Sequence, residues 1–447
     1  MRTARLIVAS FAGAAVAGAV LLALPISTVG EPLGAIDCLF TATSAVCVTG
    51  LIVVDTAERF TAFGQGIIVV LIQLGGLGIM TLSTLFLLAL GQKMGIGERM
   101  VVRTTLSQAH GRTPGELVRE VVAVTLAFEG IGSLVLMPLL TLRHGESWID
   151  AAGHAVFLSV SAFCNAGFAP WSDSLAGLRS DPWLIGTVTI LIITGGIGFV
   201  VLVNLRAWLG PDQEGQRQNL SLHTRLVLST TGVLLVTGTL LMLLLEWGGA
   251  LAALSPGERL LGGFFQAVTP RTAGFTILDT PALSTPALFA TMLLMLVGAG
   301  PGSTGGGLRV TTVAILWFMT RARQRGRARV EVFDRTLPEA TGNRALATAF
   351  AGGVTVLAVT MALLLVERGG IHGQASQFMA LVFEAVSSLC NVGLSMDVTG
   401  SLTIGGKLVV TLAMLIGRVG PLTVALAVAR EVGVPRVRLA EEDVMVA

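Results

Sequence analysis

Long apolar runs without charge alternate along this chain with short polar segments rich in arginine. Charge-free runs cover residues 6–30, 61–92, 183–205, 226–245, 280–308 and 345–366. Two further runs carry one charge each: 121–142 contains Glu129, and 408–429 contains Arg418. A helix of roughly 20 residues crosses about 30 Å of hydrocarbon, so the pattern predicts eight crossings. Between them lie shorter runs of moderate hydrophobicity at 33–46, 148–163, 256–268 and 374–389. These are too short to span and predict half-helices that enter the membrane and turn back.

Each half-helix ends in a related segment. The four are TSAVCVTGL (43–51), VSAFCNAGF (160–168), VTPRTAGF (268–275) and VSSLCNVGL (386–394). Their glycines, Gly50, Gly167, Gly274 and Gly393, are spaced by 117, 107 and 119 residues. In the third copy one residue is missing between the Ser/Thr and the glycine, and Arg271 stands where the others have cysteine. An internal period of this kind is the sequence mark of a repeated structural unit. The expected fold is an all-α polytopic membrane protein of four helix, re-entrant loop, helix repeats around a pseudo-four-fold axis. The boundaries are 1–92, 117–209, 224–320 and 344–430, followed by a tail at 431–447.

Composition agrees with the class. Hydrophobic residues make up 53% of the chain and charged ones 13%, with a mean hydropathy of +0.81; a soluble chain of this length needs more surface charge. The net charge of +2 argues against a nucleic-acid partner. The distribution of charge orients the chain. With the N-terminus inside, segments 1–5, 93–119, 206–225, 321–344 and 430–447 carry 20 of the 29 Lys and Arg residues, and the opposite segments carry 7. By the positive-inside rule both termini are cytoplasmic and all four loops dip from outside. Arg2 and Arg5 before an apolar run resemble a signal peptide, but the first repeat needs that run as a helix.

Non-helical backbone at membrane depth is tolerated where it lines water or is buried in protein. Four such stretches around one axis bring four sets of carbonyls together, the known means of replacing an alkali cation's hydration shell. The expected filter is Val48, Thr49 and Gly50; Asn165, Ala166 and Gly167; Thr272, Ala273 and Gly274; and Asn391, Val392 and Gly393. Its carbonyls would hold K⁺. Glycine permits φ values that turn a carbonyl inward, and the half-helix C-termini direct negative partial charge at the ion. The competing reading makes these glycines helix-packing contacts; four copies in register after half-helices favour the filter.

The second long helix of each repeat carries a glycine cluster: 75–78 (GGLG), 195–198 (GGIG), 298–307 (GAGPGSTGGG) and 417–420 (GRVG). In the third repeat it expands to ten residues, with Gly298, Gly300, Pro301, Gly302, Ser303, Thr304, Gly305, Gly306 and Gly307 breaking a spanning segment. No lysine follows in the Walker arrangement, so phosphate binding is excluded. A broken helix at mid-membrane marks a transport site or gate. In the fourth repeat Arg418 occupies the cluster. A buried charge there needs water or a partner, which is either a carboxylate (Glu129, Glu246 or Glu384) or the carbonyls of the expanded loop. Glu384 itself either shapes the last filter segment or caps a buried network.

TATSAVCVTGLIVVDT, AFCNAGF, AVTPRTAGF and GAGPGSTGGGLRVTT closely resemble the Trk/Ktr superfamily of bacterial potassium-transport membrane subunits, and the early start of the first repeat resembles its KtrB type. The resemblance implies K⁺ as substrate, with Na⁺ open as a permeant or coupling ion. It implies a homodimer with one pore per subunit in the bacterial inner membrane. It also implies a KtrA-like cytoplasmic ring of the RCK class that carries the regulatory nucleotide. It makes 298–307 an intramembrane gating loop and places Arg418 at a position where the family has arginine.

Other chemistries find little support. Cys38, Cys47, Cys164 and Cys390 form no CxxC pair, and His110, His144, His154, His223 and His372 form no ligand pattern. HExxH and GxSxG signatures are absent, which disfavours an enzyme. A Na⁺-selective pore or Na⁺-coupled secondary transporter stays as the alternative, because each filter copy has one glycine against two in tetrameric K⁺ channels.

Overall fold

The computed structural model describes residues 2–93, 114–210, 219–327, 329–367 and 375–420. Most of the basic segment 93–119, part of 206–225 and the tail 431–447 lie outside the described residues. Four short helices occupy the predicted half-helix positions: α2 (Ala35–Val46), α6 (Trp148–Cys164), α10 (Pro256–Val268) and α14 (Ala375–Cys390). Longer helices flank them. α1 (Arg2–Leu22) and α4 (Ala62–Lys93) bracket α2, with the short α3 (Thr56–Arg59) between. α5 (Pro114–His144) precedes α6, and α7 (Pro182–Ile197) with α8 (Phe199–Leu209) follows it. α9 (Leu222–Glu246) precedes α10, with α11 (Thr285–Leu296) and α12 (Val310–Gln324) after it. α13 (Glu339–Val366) and α15 (Ile404–Val419) bracket α14.

The short helices begin where their caps place them. Ser147 accepts the Asp150 N–H, and Ser255 with Glu258 forms a reciprocal capping box, which satisfies amides that a helix start leaves free. Their inner faces share a pattern that the segment alignment alone did not reveal. Phe40, Phe157, Phe265 and Phe383 are buried, each four residues before a buried Ser44, Ser161, Thr269 or Ser387. That spacing stacks the pair on one helix face.

Each unit's second helix packs on the next unit's short helix: α4 on α6, α7 on α10, α11 on α14, and α15 back on α2. The last contact joins the ends of the chain, and Lys407 Nζ seals it 2.7 Å from Asp37 Oδ1. Glycines permit these second helices to come close. A Cβ on Gly75, Gly195 or Gly417 would lie closer than 3.0 Å to the carbonyl oxygen of Val46, Phe163 or Leu389, near the end of the same unit's short helix.

Among the described residues three helical segments are long and apolar enough to cross a bilayer: Val118–His144 of α5, α9 and α13. Their outward faces are apolar; α13 exposes Leu346, Phe350, Val354, Leu357 and Met361, the surface expected against lipid. One expectation needs correction. The run 183–205 is not one straight crossing: α7 and α8 meet at Gly198 (φ 97°) with a bend of 102°. The fold is of the expected all-α class, and Glu331–Val332 and Arg335–Thr336 add a small antiparallel hairpin between α12 and α13. Positive φ at Phe333 and Asp334 closes its two-residue turn.

Packing at Gly417 yields a paired test. Gly417→Ala is expected to lower the thermal midpoint of the detergent-solubilised protein by several degrees, since a backbone carbonyl cannot yield and overpacking costs about 1–3 kcal/mol. Gly353→Ala, on α13 where a Cβ meets nothing within 4 Å, should leave it unchanged or higher. Equal midpoints in the two variants would contradict the close approach.

Candidate functional site

The four glycine segments meet at one place. A Cβ on Gly50 would sit 3.0 Å from Cα of Gly167, one on Gly167 3.1 Å from Cα of Gly274, one on Gly274 3.2 Å from Cα of Gly393, and one on Gly393 3.0 Å from Cα of Gly50. The contacts close a ring in chain order. The same built atoms would fall closer than 3.0 Å to the carbonyl oxygens of Ala166, Ala273, Val392 and Thr49, each the residue before the neighbouring glycine. No side chain fits at these four positions.

Backbone angles repeat as well. φ is positive at all four glycines, between 72° and 95°, and again two residues earlier at Val48 (55°), Asn165 (59°), Thr272 (73°) and Asn391 (52°). The residue between them has no positive φ. Alternating handedness of this kind turns successive carbonyls toward one side of the strand. Asn tolerates the left-handed region, whereas a β-branched residue there is strained by about 1–3 kcal/mol. Val48 and Thr272 therefore need the surrounding structure to hold them.

The buried hydroxyls provide part of that hold. Ser44 Oγ and Ser387 Oγ accept the N–H of Gly50 and Gly393, both at 3.1 Å. Ser161 Oγ and Thr269 Oγ1 instead donate to the carbonyls of Phe168 and Phe275, at 2.7 and 2.6 Å. One hydroxyl thus ties each short helix to the backbone at or just after its glycine. These residues were visible in the aligned segments, but only as markers of register. In the third copy the Ser/Thr stands one residue nearer its glycine, and Thr269 already caps α10.

Asn391 Nδ2 links two units by donating to Thr49 Oγ1 and to the Met414 carbonyl, both at 2.9 Å. Glu384 accepts from Thr399 Oγ1 at 2.6 Å and Ser395 Oγ at 2.9 Å, so it holds the chain that leaves the fourth segment. Arg271 is buried with its Nη2 3.2 Å from Thr231 Oγ1 of α9. The four cysteines are buried and unbridged.

On one side of the ring a funnel of about 290 Å³ opens, lined by the four glycines and by Asp55, Asp279 and Asp397. Burial, reinforced by the charge of Asp279, pushes the Asp397 carboxyl above its ordinary range. On the other side lies the loop 298–307. Gly298 N–H bonds the Leu308 carbonyl at 2.9 Å, closing the root of the loop. The loop rests on the α7–α8 bend: Gly300 N–H donates to Gly196 O at 2.8 Å, and Phe199 N–H donates to Gly302 O at 3.1 Å. A Cβ on Gly198 would strike the Pro301 carbonyl. The bend is thus the seat of the loop, a reason that could not be read from either segment alone.

The loop tip touches the ring from below. A side chain on Gly305 would strike Thr272 Oγ1, and one on Gly306 the Cys390 carbonyl. Thr304 Oγ1 donates at 3.3 Å to Phe163 O. Arg418, 3% exposed, donates through Nη1 to Thr304 O and through Nη2 to Gly75 O at 2.9 Å. The carboxylates that competed for it are engaged elsewhere. Glu129 accepts from Gln73 Nε2 at 3.0 Å, Glu246 from Ser284 N–H and Oγ, and Glu384 from the hydroxyls above.

Comparison with known proteins identifies the family of the chain. The profile of the TrkH family, described as a cation transport protein, matches residues 4–436. The chain is 39% identical over 415 residues to the Ktr system potassium uptake protein B of Bacillus subtilis (strain 168), covering 92% of this chain and 90% of that protein. It is 37% identical over 429 residues to the protein of the same description from Vibrio alginolyticus, covering 95% and 91%. It is also 37% identical over 422 residues to the potassium/sodium uptake protein NtpJ of Enterococcus hirae, covering 94% and 91%. The fold is similar to the crystal structure of the potassium transporter TrkH from Vibrio parahaemolyticus, with a TM-score of 0.73, 18% identity, and coverage of 96% of this chain and 84% of that one. With a matched family profile over nearly its whole length, this multi-pass membrane protein belongs to the TrkH family of cation transport proteins.

Proposed function

We propose that this protein takes up K⁺ across the bacterial plasma membrane through a channel-like pore whose filter is the ring at Gly50, Gly167, Gly274 and Gly393. The observation that carries the reading is the ring itself: four glycine backbones in mutual contact, between an acidic funnel and a buried loop. The carbonyls of Val48–Gly50, Asn165–Gly167, Thr272–Gly274 and Asn391–Gly393 replace water around the ion. α2, α6, α10 and α14 end there, and each contributes roughly −0.5 charge from its C-terminus. Eight crossings, four repeats with the boundaries given above, and cytoplasmic termini follow from the run lengths and the arginine bias.

The loop 298–307 is the gate in this reading, since it touches the underside of the third and fourth filter segments and the end of α6, and Arg418 ties it to Gly75 of the remaining unit. Arg418 holds the loop closed and opposes a cation that lingers below the filter. A homodimer, one pore per subunit, is regulated by a nucleotide-binding RCK-type ring at the cytoplasmic face. A second reading, in which Na⁺ permeates or is coupled, is favoured by the similarity to a potassium/sodium uptake protein and by the single glycine per segment.

Uptake of ⁸⁶Rb⁺ and ²²Na⁺ into liposomes containing the purified protein tests the function. Preference for Rb⁺ is expected; equal uptake supports the second reading, and no uptake of either contradicts the pore. Gly274→Ala should lose discrimination against Na⁺ about tenfold before it loses flux, because φ there is 76° and its neighbours are backbone atoms. Deletion of 300–306 should raise Rb⁺ flux several-fold, and a folded deletion variant with unchanged flux would remove the gate. A raised carboxyl takes up its proton at higher pH than an ordinary Asp, so the funnel loses the Asp397 charge early as pH falls. Uptake at sub-saturating Rb⁺ is expected to decline in that range, and Asp397→Asn should flatten the decline; identical pH profiles would exclude this role.

A further inference from the structure

A second arginine grips the loop, and it sits on a different helix from Arg418. Arg309 is the N-cap residue of α12, two residues beyond the loop. Its Nη1 donates to Gly305 O at 2.6 Å and to Gly300 O at 3.4 Å. The guanidinium therefore bridges the two arms of the loop. Arg418 holds the adjacent carbonyl, that of Thr304. Two cations thus clasp consecutive carbonyls from different elements.

The two anchors differ in what they are fastened to. Arg418 belongs to α15, which packs on α2 to close the ring, and its other nitrogen holds Gly75 O. Arg309 belongs to α12, which leads away from the filter to the β-hairpin and α13. Its first turn is also joined to the loop root: Val310 N–H donates to Ala299 O at 3.2 Å, and Leu308 N–H to Leu296 O at 3.1 Å. A displacement of α12 therefore moves the loop root and Arg309 together. Gly305 must follow, or its hydrogen bond to Arg309 must break.

We propose that Arg309 is the positioning residue that transmits movement of α12 to the loop, holding the loop tip under the filter while α12 is at rest. The inference rests on the reading of 298–307 as a gate. Both bonds come from the two hydrogens of one guanidinium nitrogen, Nη1, and the charge behind them is permanent because arginine is not deprotonated in proteins.

The test uses the full chain in liposomes, with initial ⁸⁶Rb⁺ uptake per folded molecule and the half-saturating Rb⁺ concentration as readouts. Arg309→Gln should raise flux about tenfold, the order expected when a hydrogen bond to a charged group is replaced by a neutral one. Half-saturation should stay within about twofold, because no filter atom changes. Arg309→Lys should fall between, and it carries the test if the Gln variant does not fold. An independent readout is the labelling rate of a Ser303→Cys reporter by a water-soluble thiol reagent. Ser303 is fully buried, and the four native cysteines are buried too, so background is low. Faster labelling in the Arg309→Gln background is expected.

Deletion of 300–306 separates the two hypotheses. If the deletion raises flux while both Arg309 variants leave flux and labelling unchanged, the inference is overturned and the gate stands. If the deletion itself leaves flux unchanged, the gate falls and this inference with it. A variant that only lowers the folded fraction, with normal flux per folded molecule, also overturns it.

Discussion

Close contact of four backbones around one axis is the constraint on which the remaining structure depends. Where a glycine Cα lies about 3 Å from its neighbour's missing Cβ, no side chain can fill space or hold the chain in place. Support must come from behind, in layers. The first is the hydroxyl on each short helix, which bonds backbone at or just past the glycine. Next comes the phenylalanine one turn earlier, buried against the flanking helices. Outermost are the second helices, pressed by glycine onto the ends of the short ones. Strain at Val48 and Thr272 is sustainable only because these layers over-determine the backbone.

Electrostatics works in two directions along the same axis. In the proposed pore, four helix C-termini and the filter carbonyls attract a cation, and Asp55, Asp279 and Asp397 extend that attraction into the funnel. On the opposite side stand two guanidinium groups, both spent on loop carbonyls and not on carboxylates. A carboxylate partner would neutralise an arginine and fix it. A carbonyl satisfies its donors while leaving its charge in place, so the loop is held by bonds that an arriving charge or a helix displacement can exchange. For the proposed gate that arrangement suits a closure that must open, and it differs from Glu246 and Glu384, whose carboxylates are held by hydroxyl and backbone donors of their own units.

Much of this was legible in the amino-acid order. Run length placed the ends of the four short helices to within two residues, while the long runs located their helices more coarsely, because hydrocarbon thickness constrains length and composition together. The glycines at the axis were legible because four copies repeat the same requirement. Arg418 was legible as an anomaly, since a charge in an apolar run demands a partner. The Ser/Thr tethers lay in plain view within the aligned segments, and the phenylalanine four residues earlier completes a recurring F-x-x-x-S/T pattern. Their role was missed because a buried hydroxyl in a helix is ordinarily satisfied by its own backbone.

What the sequence by itself determined was one-dimensional: which stretches are apolar, how long they are, where they recur, and where a residue violates its surroundings. Only the tertiary structure decided the pairings between segments far apart in the chain. Arg418 finds Thr304 and Gly75, not any of three equally plausible carboxylates. Gly198 breaks a run that reads as one crossing, because the loop from another unit rests there. Arg309, unremarkable beside a glycine-rich stretch, spans that stretch's two arms. Arg271 turns inward to Thr231. In each case local chemistry specified that a donor, an acceptor or a gap must be met. Which partner meets it depends on the closed ring, whose last contact joins α15 to α2 and is set by the packing of every unit between them.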